Sequence, residues 1–182
     1  MFDKQKELAY KRMQEDLEVG YLDRDIYSLL LEVFKRERSF PKSSCSGRIV
    51  IMEADYPWKK KGARIIFKNH FKIEREDIEK AISDQGRLWL VVQGPILHVY
   101  SKDLEEAFKV LEIARNAGFK HSGVLVRNEI GYLEELRTGV KVTQLLYRGI
   151  NVELMCEIAN EVLNKGKERL RKLEESFRAS KN

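Results

Sequence analysis

The apolar residues in the middle of this chain fall into short runs, each closed by glycine, proline or charge. Ile49-Val50-Ile51-Met52, Arg64 to Lys68, Leu88 to Val92 and Ile96 to Tyr100 have strand length, and Gly94-Pro95 makes a turn between the last two. Further strands are expected at Gly123 to Arg127, Tyr132 to Arg137 and Val140 to Leu146. Helical periodicity brackets them. Residues 3 to 18 read as a helix, and Asp23 caps a second in which Ile26, Leu29, Leu30, Val33 and Phe34 share one face. Residues 74 to 83 form a short helix. Ser101 caps another, whose buried stripe is Leu104, Ala107, Phe108, Leu111 and Ala114. A long final helix begins near Val152. The expected fold is α+β: a single domain over 1–182, with a helical hairpin at about 3–37, a body at 40–150 holding a central mixed or antiparallel sheet, and a C-terminal helix over 152–178.

The 182 residues suffice to bury a core without disulfides or a structural metal. Charged residues make up 35% of the chain and hydrophobic residues 43%, a globular balance. The formal net charge of +5 suits a polyanionic partner such as RNA and equally an ordinary mildly basic protein. The two cysteines, Cys45 and Cys156, form no CxxC pair, so no metal site is expected from them. No apolar run approaches the roughly 20 residues of a membrane span, and the first residues lack a signal peptide's apolar region, so the expected location is the cytoplasm.

Ser43-Ser44-Cys45-Ser46-Gly47-Arg48 is the most unusual segment. Small side chains expose backbone N–H groups, hydroxyls donate and accept, and Arg48 can fork onto a carboxylate or phosphate. The segment reads either as an anion site or as a plain polar turn. Cys45 reads as a small half-buried thiol before it reads as a nucleophile. His98 lies on the same strand face as Ile96 and Tyr100 and is either a hydrogen-bonded core group or a site residue. His70 follows a strand end, where loops carry function, whereas His121 reads as a surface residue. No G-x-G-x-x-G stands at a strand–helix junction, which excludes the Rossmann-type methyltransferase layout.

In order along the chain, Val19-Gly20-Tyr21-Leu22-Asp23, Ser43-Ser44-Cys45-Ser46-Gly47-Arg48-Ile49, His70, Pro95-Ile96-Leu97-His98-Val99, Gly118-Phe119, Ser122-Gly123 and Ala159-Asn160 resemble the wybutosine-synthesis protein 3 family. The resemblance covers nearly the whole chain. One departure is Gln93-Gly94 before Pro95, where the family has an acidic residue. The resemblance implies a methyltransferase that uses S-adenosylmethionine on the anticodon stem-loop of phenylalanine tRNA. The methyl group would go to N4 of a demethylwyosine base already carrying an aminocarboxypropyl side chain. It implies no membrane or DNA partner. Ser44, Cys45, Ser46, Gly47, Arg48, Ser122 and Gly123 would hold the donor, and His98 or His70 would accept a proton. Lys59, Lys60 and Lys61 would follow the RNA backbone, and Tyr100 or Trp89 would stack on the base. Two other readings stay open: an RNA-binding module without catalysis, and a small-molecule enzyme using the Ser-rich loop as an anion site.

Overall fold

The N-terminal helical patterns become α1 (Phe2–Glu18) and α2 (Tyr27–Phe34), joined through a 3-10 turn at Arg24–Ile26. This computed structural model describes residues 1–82 and 86–180. Along the chain follow β1 (Ser39–Cys45), β2 (Arg48–Glu53), β3 (Arg64–Asn69), α3 (Arg75–Ile82), β4 (Leu88–Gln93) and β5 (Ile96–Ser101). Then come α4 (Leu104–Asn116), β6 (Gly123–Arg127), β7 (Tyr132–Arg137), β8 (Lys141–Leu146) and α5 (Val152–Ala179). The helix expected over 74–83 is found as α3, with Ser83 outside the described residues. The class is α+β with helices at both ends. Instead of one central sheet, the described residues form two four-stranded ones, β1-β5-β7-β6 and β3-β2-β4-β8. Every ladder is antiparallel, unlike a Rossmann sheet.

Contacts gather into two compact units. The first holds residues 1–46, 95–139 and 168–182, and the second holds 47–94 and 140–167. In the first, Ile26, Leu29, Leu30 and Val33 bury against Leu97, Val99 and Leu136 of the sheet, with Val110, Leu111 and Ala114 of α4 and Leu170, Leu173 and Phe177 of α5. A smaller cluster on the other sheet face joins Phe2, Phe40 and Tyr100. In the second unit Ile49, Ile51, Leu88, Leu90 and Val92 pack with Ile78 and Ala81 of α3 and with Ala159 and Leu163 of α5.

Three local expectations change. Part of the segment read as a polar turn is strand: Ser43, Ser44 and Cys45 belong to β1, which also takes in Phe40-Pro41 and lies at the sheet edge, the place where a proline is tolerated in a strand. The cap of α4 is Asp103, which accepts from the Glu106 N–H at 3.0 Å, while Ser101 belongs to β5. The inward face of α4 is also rotated: Leu104 and Phe108 are exposed and Glu106 is buried. The cause is a bidentate ion pair in which Arg36 donates to both Glu106 oxygens at 2.6 and 3.0 Å, with the Ser39 hydroxyl donating at 2.8 Å. With Arg36 and Ser39 donating to it, the Glu106 carboxylate is compensated only while it faces inward.

Candidate active site

In antiparallel strands, residues opposite one another share a face. Ser43, His98 and Glu135 lie opposite one another across β1, β5 and β7. The Ser43 Oγ is 2.8 Å from His98 Nδ1, and His98 Nε2 is 3.0 Å from Glu135 Oε2. The tautomer follows from the partners. A carboxylate only accepts, so Nε2 carries the hydrogen and donates to Glu135, and Nδ1 accepts from the Ser43 hydroxyl. Beside this row runs a second, Cys45, Ile96 and Arg137, and a third, Phe40, Tyr100 and Leu133. Arg137 reaches the other Glu135 oxygen at 3.7 Å. The opposite face carries Leu97, Val99 and Leu136 into the core.

His98 and Glu135 keep 29% and 23% of their side-chain surface exposed, so the hydrogen-bonded row is open to solvent and not sealed in the core. A hydroxyl, an imidazole and a carboxylate hydrogen-bonded in series are the parts of a proton relay. Ser43 can take a proton from a bound molecule while passing its own to Nδ1, and Glu135 then faces an imidazolium.

The remaining sequence-derived candidates divide. A register shift between Pro41 and Ser43 inserts Lys42 into β1, so Ser43 pairs with His98 and Ser44 pairs with Leu97, on the core face. Ser46 is fully buried, and its N–H and hydroxyl both donate to Asp23 Oδ2, at 3.1 and 3.0 Å. The carboxylate expected to cap a helix thus serves as the chain's own anion at this turn. Gly47 is there for the backbone: its φ is +101°, and a Cβ would stand 3.1 Å from the Gln93 carbonyl oxygen. Cys45 is half-buried on the His98 face. Ser122 is used up structurally, donating to Phe119 O at 2.6 Å and accepting from the Arg137 N–H at 3.0 Å; Gly123 opens β6 opposite Glu135.

Tyr100 does not offer a ring to RNA. It is 6% exposed, packs against Phe40 and accepts from Asn128 at 2.9 Å, so no splayed base can reach its face. Trp89 is half-buried and donates to Ala54 O at 3.1 Å. In the second unit Arg48 opens β2 and His70 follows β3, both half-buried. Lys59, Lys60 and Lys61 are exposed in the loop between β2 and β3, where Lys59 pairs with Asp55 at 2.5 Å. Asn160 clamps the Ile73 backbone, accepting from its N–H and donating to its carbonyl, both at 2.9 Å. Sequence reasoning missed Ser43 and Glu135 as partners of His98. The alternation of Tyr132–Arg137 puts Glu135 on one face, but only the pairing register shows that His98 lies on it.

A family model described as Methyltransferase TYW3 matches residues 4–179. The chain belongs to this family. Two relatives are named tRNA(Phe) 7-((3-amino-3-carboxypropyl)-4-demethylwyosine(37)-N(4))-methyltransferase. The one from Saccharolobus solfataricus is 42% identical, over 100% of this chain and 92% of its own. The one from Thermococcus sibiricus is 36% identical, over 99% and 96%. A solved structure of a protein from Pyrococcus horikoshii superposes with a TM-score of 0.88 at 32% identity, covering 97% of this chain and 95% of that one. As a TYW3 family member the chain is a methyltransferase built without the Rossmann layout.

Proposed function

We propose that this chain transfers a methyl group from S-adenosylmethionine to N4 of the 7-aminocarboxypropyl-demethylwyosine base beside the anticodon of phenylalanine tRNA. The observation that carries this reading is the full-length match to a relative named for that reaction, 42% identical. The Ser43–His98–Glu135 row supplies the proton acceptor the chemistry needs.

When bound, S-adenosylmethionine supplies an electrophilic methyl group on a sulfonium. As the ring nitrogen gains that methyl group and the carbon–sulfur bond breaks, the nitrogen sheds its proton. The Ser43 oxygen accepts it and releases its own to His98 Nδ1. Glu135 holds the ring by Nε2–H and stabilises the imidazolium, so the acceptor is oriented before the substrate arrives. The donor's amino-acid end carries a carboxylate, and Arg137 on the same face fits it with a permanent cation. Arg48 is a second candidate for that carboxylate. Ser46 and Ser122 act instead by holding the backbone turns in place. Among the described residues no helix is long and apolar enough to cross a membrane, and the reading places the enzyme with its tRNA in the cytoplasm.

Calorimetric titration with S-adenosylmethionine, followed by mass spectrometry of nucleosides from incubated precursor tRNA, tests the proposal. One methyl group gained on the hypermodified base is the expected result. RNA binding without donor binding would favour a non-catalytic RNA-binding protein. Donor or nucleotide binding without tRNA binding would favour a small-molecule enzyme that uses the Ser-rich segment as an anion site.

A further inference from the structure

The loop between β2 and β3, in the second unit, holds an ordered aromatic pair. Tyr56 and Trp58 stack across Pro57 with ring centroids 4.9 Å apart and planes 14° from parallel. The Arg87 guanidinium lies 5.4 Å from the Tyr56 centroid and donates to the Asp55 carbonyl at 2.7 Å. Lys59 pairs with the Asp55 side chain at 2.5 Å. These contacts hold two aromatic rings in register, and still Trp58 is 75% exposed and Tyr56 47%.

A large ring left in water forgoes about 25 cal/mol for every Å² that burial would cover. Its sequence neighbours are not the apolar rim of a protein-docking patch. Within Glu53–Arg64 the cations Lys59, Lys60, Lys61 and Arg64 outnumber Glu53 and Asp55, and Lys60 and Lys61 are exposed. Lys59 is tied to Asp55 and Arg64 to Glu53, which leaves the exposed Lys60 and Lys61 beside parallel aromatic faces, and that combination matches a polyanion presenting flat π-surfaces, an unpaired stretch of nucleic acid.

We propose that Trp58, backed by Tyr56, is a stacking platform for an unpaired base of the RNA substrate, with Lys60 and Lys61 on the flanking phosphates. The proposal rests on the reading of this chain as a tRNA-modifying enzyme and adds where single-stranded RNA is gripped. It also moves base stacking from the buried Tyr100 to a ring that RNA can reach.

The test uses the full chain and its W58A and W58F variants, titrated with a short single-stranded RNA and with a duplex of the same sequence. Fluorescence anisotropy gives affinity, and quenching of tryptophan emission reports stacking. Expected are quenching by the single strand that is lost in W58F, a roughly tenfold or greater loss of single-strand affinity in W58A, a much smaller loss for the duplex, and near-complete rescue of affinity in W58F. Unchanged single-strand affinity in W58A overturns the platform. So does a W58A effect confined to gel-filtration elution, which would assign the pair to contact between copies, or confined to binding of phosphatidylserine vesicles. Methylation of precursor tRNA is scored separately. Methylation by a wild type whose RNA affinity does not depend on Trp58 removes the platform alone. Trp58-dependent RNA binding without methylation removes the methyltransferase reading alone.

Discussion

His98 is gripped at both ring nitrogens, by Ser43 at 2.8 Å and by Glu135 at 3.0 Å, and this arrangement fixes what each substitution should do. His98→Gln keeps polar atoms between the two partners but cannot take up a proton. Single-turnover methylation should slow by roughly 10²- to 10⁴-fold while the melting temperature stays close to wild type. A loss of rate that merely tracks unfolding would make the row structural. Glu134, the next residue along β7, faces the other way and makes a different prediction. Burial, reinforced by the nearby Glu106 carboxylate, pushes its acid up to about 8, and one of its oxygens is buried without a partner. Ser101 donates to the other oxygen at 3.2 Å, and Arg36 is committed to Glu106. The unfolded chain releases this proton near 4.5 and the folded chain only near 8. The stabilising contribution is therefore complete below about 4.5 and is lost as pH rises through about 8. Glu134→Gln should remove that fall. Its denaturation midpoint should exceed wild type at pH 8.5 and converge with it at pH 5. A wild-type midpoint that does not decline between those values would contradict the assignment.

At the level of elements, the helices were legible because periodicity reports one face at a time. The apolar stripe of α2 buries as its spacing says. α4 was legible in extent but not in rotation, because the pull of Arg36 on Glu106 comes from a residue 70 positions away. β1 was the costliest misreading. Proline and three serines look like a loop, and an edge strand with a bulge tolerates all of them. Without the bulge at Lys42, Ser44 would have stood on the His98 face. The inserted residue instead puts Ser43 on that face, opposite His98, since a one-residue slip exchanges the faces of a strand. The turn that closes β1 carries its own test. Gly47→Ala must hold φ near +101° with a methyl group 3.1 Å from the Gln93 carbonyl, so it should lose about 1–3 kcal/mol in urea denaturation. Gly149 has a similar φ of +90° but nothing within 4 Å of its missing Cβ. Gly149→Ala should cost less. Equal losses would show that strain in φ accounts for the whole effect and that the Gln93 contact adds nothing.

Across the whole chain, 34 basic residues face 29 acidic ones, an excess too small to reveal RNA binding by itself. The two cores were not legible as separate units either, because the chain returns to each of them and no single stretch of sequence marks a boundary. Charge becomes informative only where the fold leaves it uncommitted. Many surface cations are tied locally, as in Lys109 with Glu105 and Arg75 with Glu79, and exposed pairs of this kind have little attraction left for a phosphate. Lys60 and Lys61 differ in being consecutive, exposed and next to the aromatic pair. If each neutralises one phosphate of a single strand, each releases its share of condensed counterion. The logarithm of tRNA affinity should then fall linearly with the logarithm of salt concentration, and the double variant K60A/K61A should flatten that slope by about 1.4. His98→Gln, which touches no phosphate in this scheme, should leave the slope unchanged even as it slows methyl transfer. A salt series measured by anisotropy on the three proteins separates the two effects. A slope that survives the loss of both lysines would move the phosphate contacts elsewhere on the surface.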